Sequence, residues 1–204
     1  MTTTRLRGII PPAMTPFTAE GEPDLPALRG VVEHLLAGGV DAVFALGSTA
    51  EVAYLDDDQR DGILEAVVQT VAGRVPVLAG VIDTTSRRVI AHVRRAEKLG
   101  VDAMVATAPI YAINDTAEIE QHFRAIADAS DLPLYAYDIP VRVHTKLPAD
   151  MLVRLGSEGV LAGVKDSSGD DVGFRRLVAA NAGAGAPLSV LTGHEVVVDG
   201  MLLL

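Results

Sequence analysis

The run Val160-Leu161-Ala162-Gly163-Val164-Lys165-Asp166-Ser167-Ser168-Gly169-Asp170, VLAGVKDSSGD, passes within a few residues from a β-prone apolar stretch to a tight polar turn, with one lysine at the junction. An apolar run over 160–164 closed by Asp, Ser and Gly reads as a strand buried on both faces that ends in a turn. Six further runs have this character, at 8–14, 42–46, 75–81, 103–107, 134–137 and 188–191. Between them lie segments with apolar residues at helical spacing, at 25–37, 57–71, 86–99, 116–129, 148–155 and 171–181, several opened by Asp, Ser or Thr. Strand and helix in alternation predict a parallel sheet, either open and doubly wound or closed into a (β/α)8 barrel, and seven strands favour the barrel.

An eighth strand and its helix are not found. The sequence stops at 196–204, VVVDGMLLL, inside what reads as an unfinished seventh helix, whereas a complete barrel takes about 250 residues. The expectation is one α/β domain over 1–204, a (β/α)8 TIM barrel truncated after the seventh strand. It would be a fragment of a longer protein or an unusually short member of its family, with an open barrel edge that leaves it poorly active or incompletely folded alone.

Composition narrows the function. Of 204 residues 49% are hydrophobic, enough for a sizeable core. Lys and Arg number 17 against 27 Asp and Glu, and the net charge of -10 argues against a nucleic-acid surface or a polybasic membrane anchor, leaving a small metabolite as the expected partner. With no cysteine, a disulfide framework, a thiolate zinc site and a cysteine nucleophile are all excluded. The opening MTTTRLRGII has no long apolar signal core, and no apolar run approaches the roughly 20 residues of a membrane helix. A soluble cytoplasmic protein is expected.

Chemistry in such a barrel sits at the C-terminal ends of the strands. Lys165 is there; it is either a solvated surface charge or an amine whose pKa falls from about 10.4 toward 7–8 so that it can attack a carbonyl. Tyr137 ends the fifth predicted strand, as a core aromatic or as a proton-transfer phenol. Gly47-Ser48-Thr49-Ala50-Glu51 follows the second, as a helix cap or as a cradle for a carboxylate with Glu51 in support. Ala108-Pro109-Ile110-Tyr111 follows the fourth, with Tyr111 as a packed loop aromatic or a site residue.

Taken in this order, these residues resemble the pyruvate-dependent Schiff-base family of dihydrodipicolinate synthase and N-acetylneuraminate lyase, class I aldolases on a (β/α)8 barrel. The match runs from Gly8 to the end and opens with Pro12-Ala13-Met14-Thr15-Pro16-Phe17; the octet 163–170 is its most specific motif. The resemblance implies that Lys165 forms an imine with pyruvate or another 2-keto acid. It further implies that Tyr137 is the general acid/base and that Ser48 or Thr49 and Tyr111 complete its proton relay, with Tyr111 reaching a neighbouring subunit's site in a homodimer or homotetramer. Gly47, Ser48 and Thr49 would bind the keto acid, and Arg142 the carboxylate of a second substrate, an aldehyde.

The imine is itself the electron sink, so no cofactor is implied. A metal site is not expected either. His34, His92 and His122 fall on predicted outer helices, and His144 and His194 alone make a poor zinc site. Substrate signals are mixed: Arg142 fits the synthase branch, Gly47-Ser48-Thr49 looks more like the lyase branch, and Val143 and His144 depart from the synthase pattern. Ala50 stands where glycine is usual, which requires a backbone without positive φ, and Asp138 replaces the usual asparagine. A 2-keto-3-deoxy sugar acid or N-acetylneuraminate-type aldolase or dehydratase, and a non-catalytic keto-acid-binding barrel, are the alternatives.

Overall fold

The computed structural model describes residues 5–203, and residues 1–4 and 204 lie outside the described residues. Six parallel strands pair strictly in chain order. They are β1 (Val43–Ala45), β2 (Val77–Gly80), β3 (Ala103–Ala106), β4 (Leu134–Asp138), β5 (Gly163–Asp166) and β6 (Ser189–Thr192). Helix α1 (Leu25–Ala37) precedes β1, and α2 (Asp57–Val71), α3 (Ser86–Lys98) and α4 (Thr116–Ala127) connect the next strands. Two helices, α5 (Pro140–Val143) and α6 (Ala149–Ser157), join β4 to β5; α7 (Asp171–Gly183) joins β5 to β6, and α8 (Val198–Leu202) follows.

The helix starts are written locally. Asp56 and Gln59 form a reciprocal capping box on α2, Asp115 and Glu118 another on α4, while Thr85 and Asp170 cap α3 and α7. The helices cover the outer face of the sheet, and the strands are buried almost throughout, as expected of a parallel sheet. No helix among the described residues is long and apolar enough to cross a membrane.

The sheet is curled. The Lys165 amine on β5 lies 4.7 Å from the centre of the Phe44 ring on β1, although three strands separate them in the sheet. At the opposite end, the Ser189 hydroxyl on β6 donates to the carbonyl of Leu6, in the segment that runs beside β1. Only a sheet bent toward a barrel brings such distant strands face to face.

Two strand expectations are corrected. The predicted strand at 8–14 is reduced to one parallel bridge, Pro12 with Phe44, supported by Phe44 N–H to Pro11 O at 3.1 Å and Ala13 N–H to Phe44 O at 2.9 Å. Pro11 and Pro12 have no N–H to donate, so a continuous ladder cannot form and six strands are found in place of seven. The strand predicted at 160–164 lies at Gly163–Asp166 because Val160 and Leu161 donate back to the Leu155 carbonyl and finish α6. Lys165 is therefore inside β5 rather than beyond it.

Gly163 shows why the octet 163–170 begins as it does. A Cβ there would lie 2.4 Å from the Tyr135 ring and 2.5 Å from the Ser189 carbonyl oxygen, because the ring lies across the strand toward the lumen. Gly163→Ala is expected to destabilise the fold by about 1–3 kcal/mol, since a backbone oxygen cannot swing away. Denaturant unfolding measures it, and an unchanged midpoint would refute this packing argument.

Candidate active site

Tyr137 and Lys165 are direct register partners across β4 and β5, so their side chains leave the sheet on the same face. Both point into the lumen. Tyr137 is buried, packed edge-on against Phe44 with ring centres 6.0 Å apart. Lys165 places its Nζ 4.6 Å from the Tyr137 ring centre as well as 4.7 Å from that of Phe44. Two aromatic rings can hold an ammonium by their faces, but they supply none of the hydrogen bonds that water would. Burial accordingly pushes the Lys165 amine below the ordinary lysine range, opposed by Tyr137 and by the more distant Glu195. The shift is toward the neutral form, the form in which a lysine can attack a carbonyl.

The Tyr137 hydroxyl is 3.2 Å from the Ser48 hydroxyl, and either can donate. Ser48 arrives there because the chain turns sharply after β1. Leu46 takes a positive φ of 56° and residues Ser48–Ala50 form one 3-10 turn that starts from Gly47. Gly47 is required by packing: a Cβ would lie 2.7 Å from the Phe44 ring, the ring that also contacts Lys165. Of the Ser48 and Thr49 pair, the turn brings only Ser48 to Tyr137 and leaves Thr49 exposed. Ala50 does not need positive φ; Glu51 carries it instead, with φ 59°, and is exposed.

The remaining candidates do not join this cluster. Tyr111 is 92% exposed and holds a strained φ of 81°. Arg142, on α5, is exposed and pairs with no carboxylate among the described residues. Phe44, which lies within the strand predicted at 42–46 and is not among the predicted site residues, lines the lysine. Below the amine the lumen opens into a cavity of about 650 Å3 whose lining includes Phe44, Leu78, Val105, Tyr135, Lys165 and Leu191.

The histidines are engaged elsewhere. His92 bonds Asp83 at 2.8 Å and His122 lies between the Ser86 hydroxyl and the Thr107 carbonyl, both on outer helices as predicted. His194 pairs with Asp171 at 2.9 Å. Among the described residues no three His, Asp or Glu side chains gather at metal-binding spacing.

Comparison with known proteins identifies relatives of the chain and of its fold. The Dihydrodipicolinate synthetase family matches residues 5–204. An uncharacterized DapA-like lyase of Halobacterium salinarum is 37% identical over 165 residues, covering 81% of this chain and 54% of that protein. A 4-hydroxy-tetrahydrodipicolinate synthase of Phenylobacterium zucineum is 36% identical over 173 residues, 84% of this chain and 58% of that protein. Among solved structures, the chain superposes with a TM-score of 0.92 and 31% identity on YagE, a prophage protein of the dihydrodipicolinic acid synthase family from E. coli K12 in complex with pyruvate, covering 96% of this chain and 66% of YagE. The chain thus spans 54–58% of the length of these two curated relatives. A family match over residues 5–204, on a curled parallel sheet with the aromatic-lined lysine at the end of β5, makes this chain a member of the dihydrodipicolinate synthetase family.

Proposed function

We propose that this chain carries the imine-forming centre of a pyruvate-dependent lyase. The observation that carries the reading is the Lys165 amine enclosed by Phe44 and Tyr137, with the Tyr137 hydroxyl in contact with Ser48. Neutral Lys165 attacks the keto carbon of pyruvate or another 2-keto acid, giving a carbinolamine. Tyr137 donates the proton with which the hydroxyl leaves as water, and the nitrogen lone pair forms the imine. Loss of a C3 proton, or cleavage of the bond beyond C3, sends the electron pair into the imine and yields an enamine. The electron sink is covalent, so no metal or cofactor enters this sequence.

Ser48 is the relay partner in this reading, replacing Thr49, and Gly47 and Ser48 border the keto-acid site. Tyr111, exposed on its own copy, completes the relay of a neighbouring one in a homodimer or homotetramer. Arg142 is free to take the carboxylate of an aldehyde partner. A cytoplasmic enzyme condensing pyruvate with an aldehyde, or cleaving the corresponding 2-keto acid, is the resulting picture.

The test is reductive trapping. Pyruvate and borohydride are expected to add one reduced pyruvate to the peptide that contains Lys165; no adduct would favour a binding barrel without catalysis. The trapping rate should rise with pH. A neutral amine is required, its fraction grows as pH climbs through the lysine pKa, and burial brings that pKa below the ordinary range. A rate independent of pH between about 6 and 9 would argue that the amine is not the titrating group. A screen of aldehydes and 2-keto-3-deoxy acids then identifies the second substrate.

A further inference from the structure

The residues that follow the two site groups on their strands form a second cluster, on the other face of the sheet. Asp138 and Asp166 are register partners at the ends of β4 and β5, and both are buried. Since side chains alternate along a strand, they point toward the helix layer while Tyr137 and Lys165 point inward. Two carboxylates on opposed positions of neighbouring strands repel one another, and burial removes the water that would screen them.

One cation resolves the conflict. Lys146, in the connection between α5 and α6, sets its Nζ against Oδ2 of Asp138 and, at 2.9 Å, against Oδ2 of Asp166. The Leu147 N–H donates to the other Asp138 oxygen at 3.2 Å, and the Ser168 N–H and hydroxyl donate to the other Asp166 oxygen at 2.8 and 2.6 Å. Among the described residues, Lys146 is the cation paired with these carboxylates. Burial opposes the Lys146 ammonium, yet its bonds to Asp138 and Asp166 outweigh that and hold it above the ordinary lysine range. Burial, reinforced by Asp166, pushes the Asp138 carboxyl up in spite of Lys146.

The same stretch of chain carries Arg142 four residues earlier, so the bridge ties that segment to the strand ends as well. Just beyond the bridge, the Ser167 N–H donates to the Asp138 carbonyl at 2.8 Å and extends the β4–β5 pairing. We propose that Lys146 is a positioning residue: its ammonium, shared by two buried carboxylates, fixes the ends of β4 and β5 and thereby sets Tyr137 against Lys165. This role rests on the imine chemistry proposed for Lys165.

Three forms of the chain test it: the wild type, Lys146→Met, and Lys146→Met combined with Asp138→Asn. Lys146→Met is expected to slow pyruvate trapping on Lys165 by about tenfold to a hundredfold near neutral pH, the usual effect of a small misplacement. Its rate relative to wild type should recover as pH falls, because a proton shared by the two acids then replaces the ammonium. The double variant should regain most of the rate at every pH, since the amide introduced by Asp138→Asn can donate to Asp166 without needing a counter-ion. Wild-type trapping by Lys146→Met, or a double variant as slow as the single one, overturns the proposal.

Thermal midpoints form an independent arm. Without Lys146 the folded pair binds a proton more tightly than the unfolded chain does. Stability should therefore fall as pH rises through the raised carboxylate pKa, and the double variant should lack that slope. If the wild-type chain itself gives no adduct, the imine reading fails, and the bridge is judged on these midpoints alone: a Lys146→Met profile parallel to the wild type overturns it.

Discussion

Lys165→Met is expected to abolish reductive trapping of pyruvate while the chain melts at or above the wild-type temperature. The two halves have one cause. The lysine stem runs between Phe44 and Tyr137, an environment that suits an uncharged chain of similar length and penalises an ammonium. Methionine keeps the apolar contact and removes the charge. The sign follows from the lowered pKa: the burial penalty is fully present below the folded pKa, recedes as pH rises, and vanishes above the unfolded value near about 10.4. Removing the amine thus stabilises the fold at neutral pH. Turnover, where measured, should fall by roughly a thousandfold or more because the covalent route is gone.

Lys165→Arg makes the control, with the charge retained and no accessible neutral form, and should be both inactive and less stable. A clear loss of melting temperature in Lys165→Met would show that the lysine contributes to the fold, and an adduct persisting in that variant would place the imine on another amine.

Much of this was legible because buried parallel strands and capped helices leave local signals. The helix at 57–71 is found between those residues because Asp56 and Gln59 supply both halves of its capping box next to the first turn. The strand predicted at 160–164 starts late because the end of α6 holds Val160 and Leu161, but its far end runs on for a non-local reason. β-propensity ends at Val164, but pairing with β4 and β6 on either side carries the ladder through Lys165 and Asp166. The missing ladder at 8–14 was readable in principle, from two adjacent prolines in a run otherwise suited to a strand.

At the site, strand position located Lys165, Tyr137 and the Ser48-Thr49 pair, since all lie at C-terminal strand ends. The choice of Ser48 over Thr49 depends on how one 3-10 turn is aimed after a positive φ at Leu46, which residue types alone do not specify. Phe44 and Lys146 went unseen for another reason. Their importance comes from curling β1 against β5 and from two acids meeting across a ladder, and neither is a neighbour in sequence. Asp138 was noticed as a departure from the family; its compensation eight residues later became visible only once Asp166 was beside it.

Tyr137→Phe should separate proton transfer from packing more cleanly than any other change at this site. The ring stays where it is, edge-on to Phe44 at 6.0 Å and over the Lys165 amine, so the contacts that position the lysine survive. What is lost is one hydroxyl and its bond to Ser48, a group that is only partly buried and can turn to water. Stability should therefore change by about 1 kcal/mol or less. Carbinolamine dehydration, by contrast, loses its acid, and the trapping rate should drop by about 10²- to 10⁴-fold, the usual range for a positioned proton donor. Ser48→Ala removes only the relay partner and should have a smaller effect in the same direction, while Thr49→Val, at an exposed side chain, should leave the rate near wild type. Equal losses in Ser48→Ala and Thr49→Val would mean that the proton path does not run along the 3.2 Å contact between Tyr137 and Ser48. A Tyr137→Phe chain that traps pyruvate at the wild-type rate would assign the proton to water and reduce the phenol to packing.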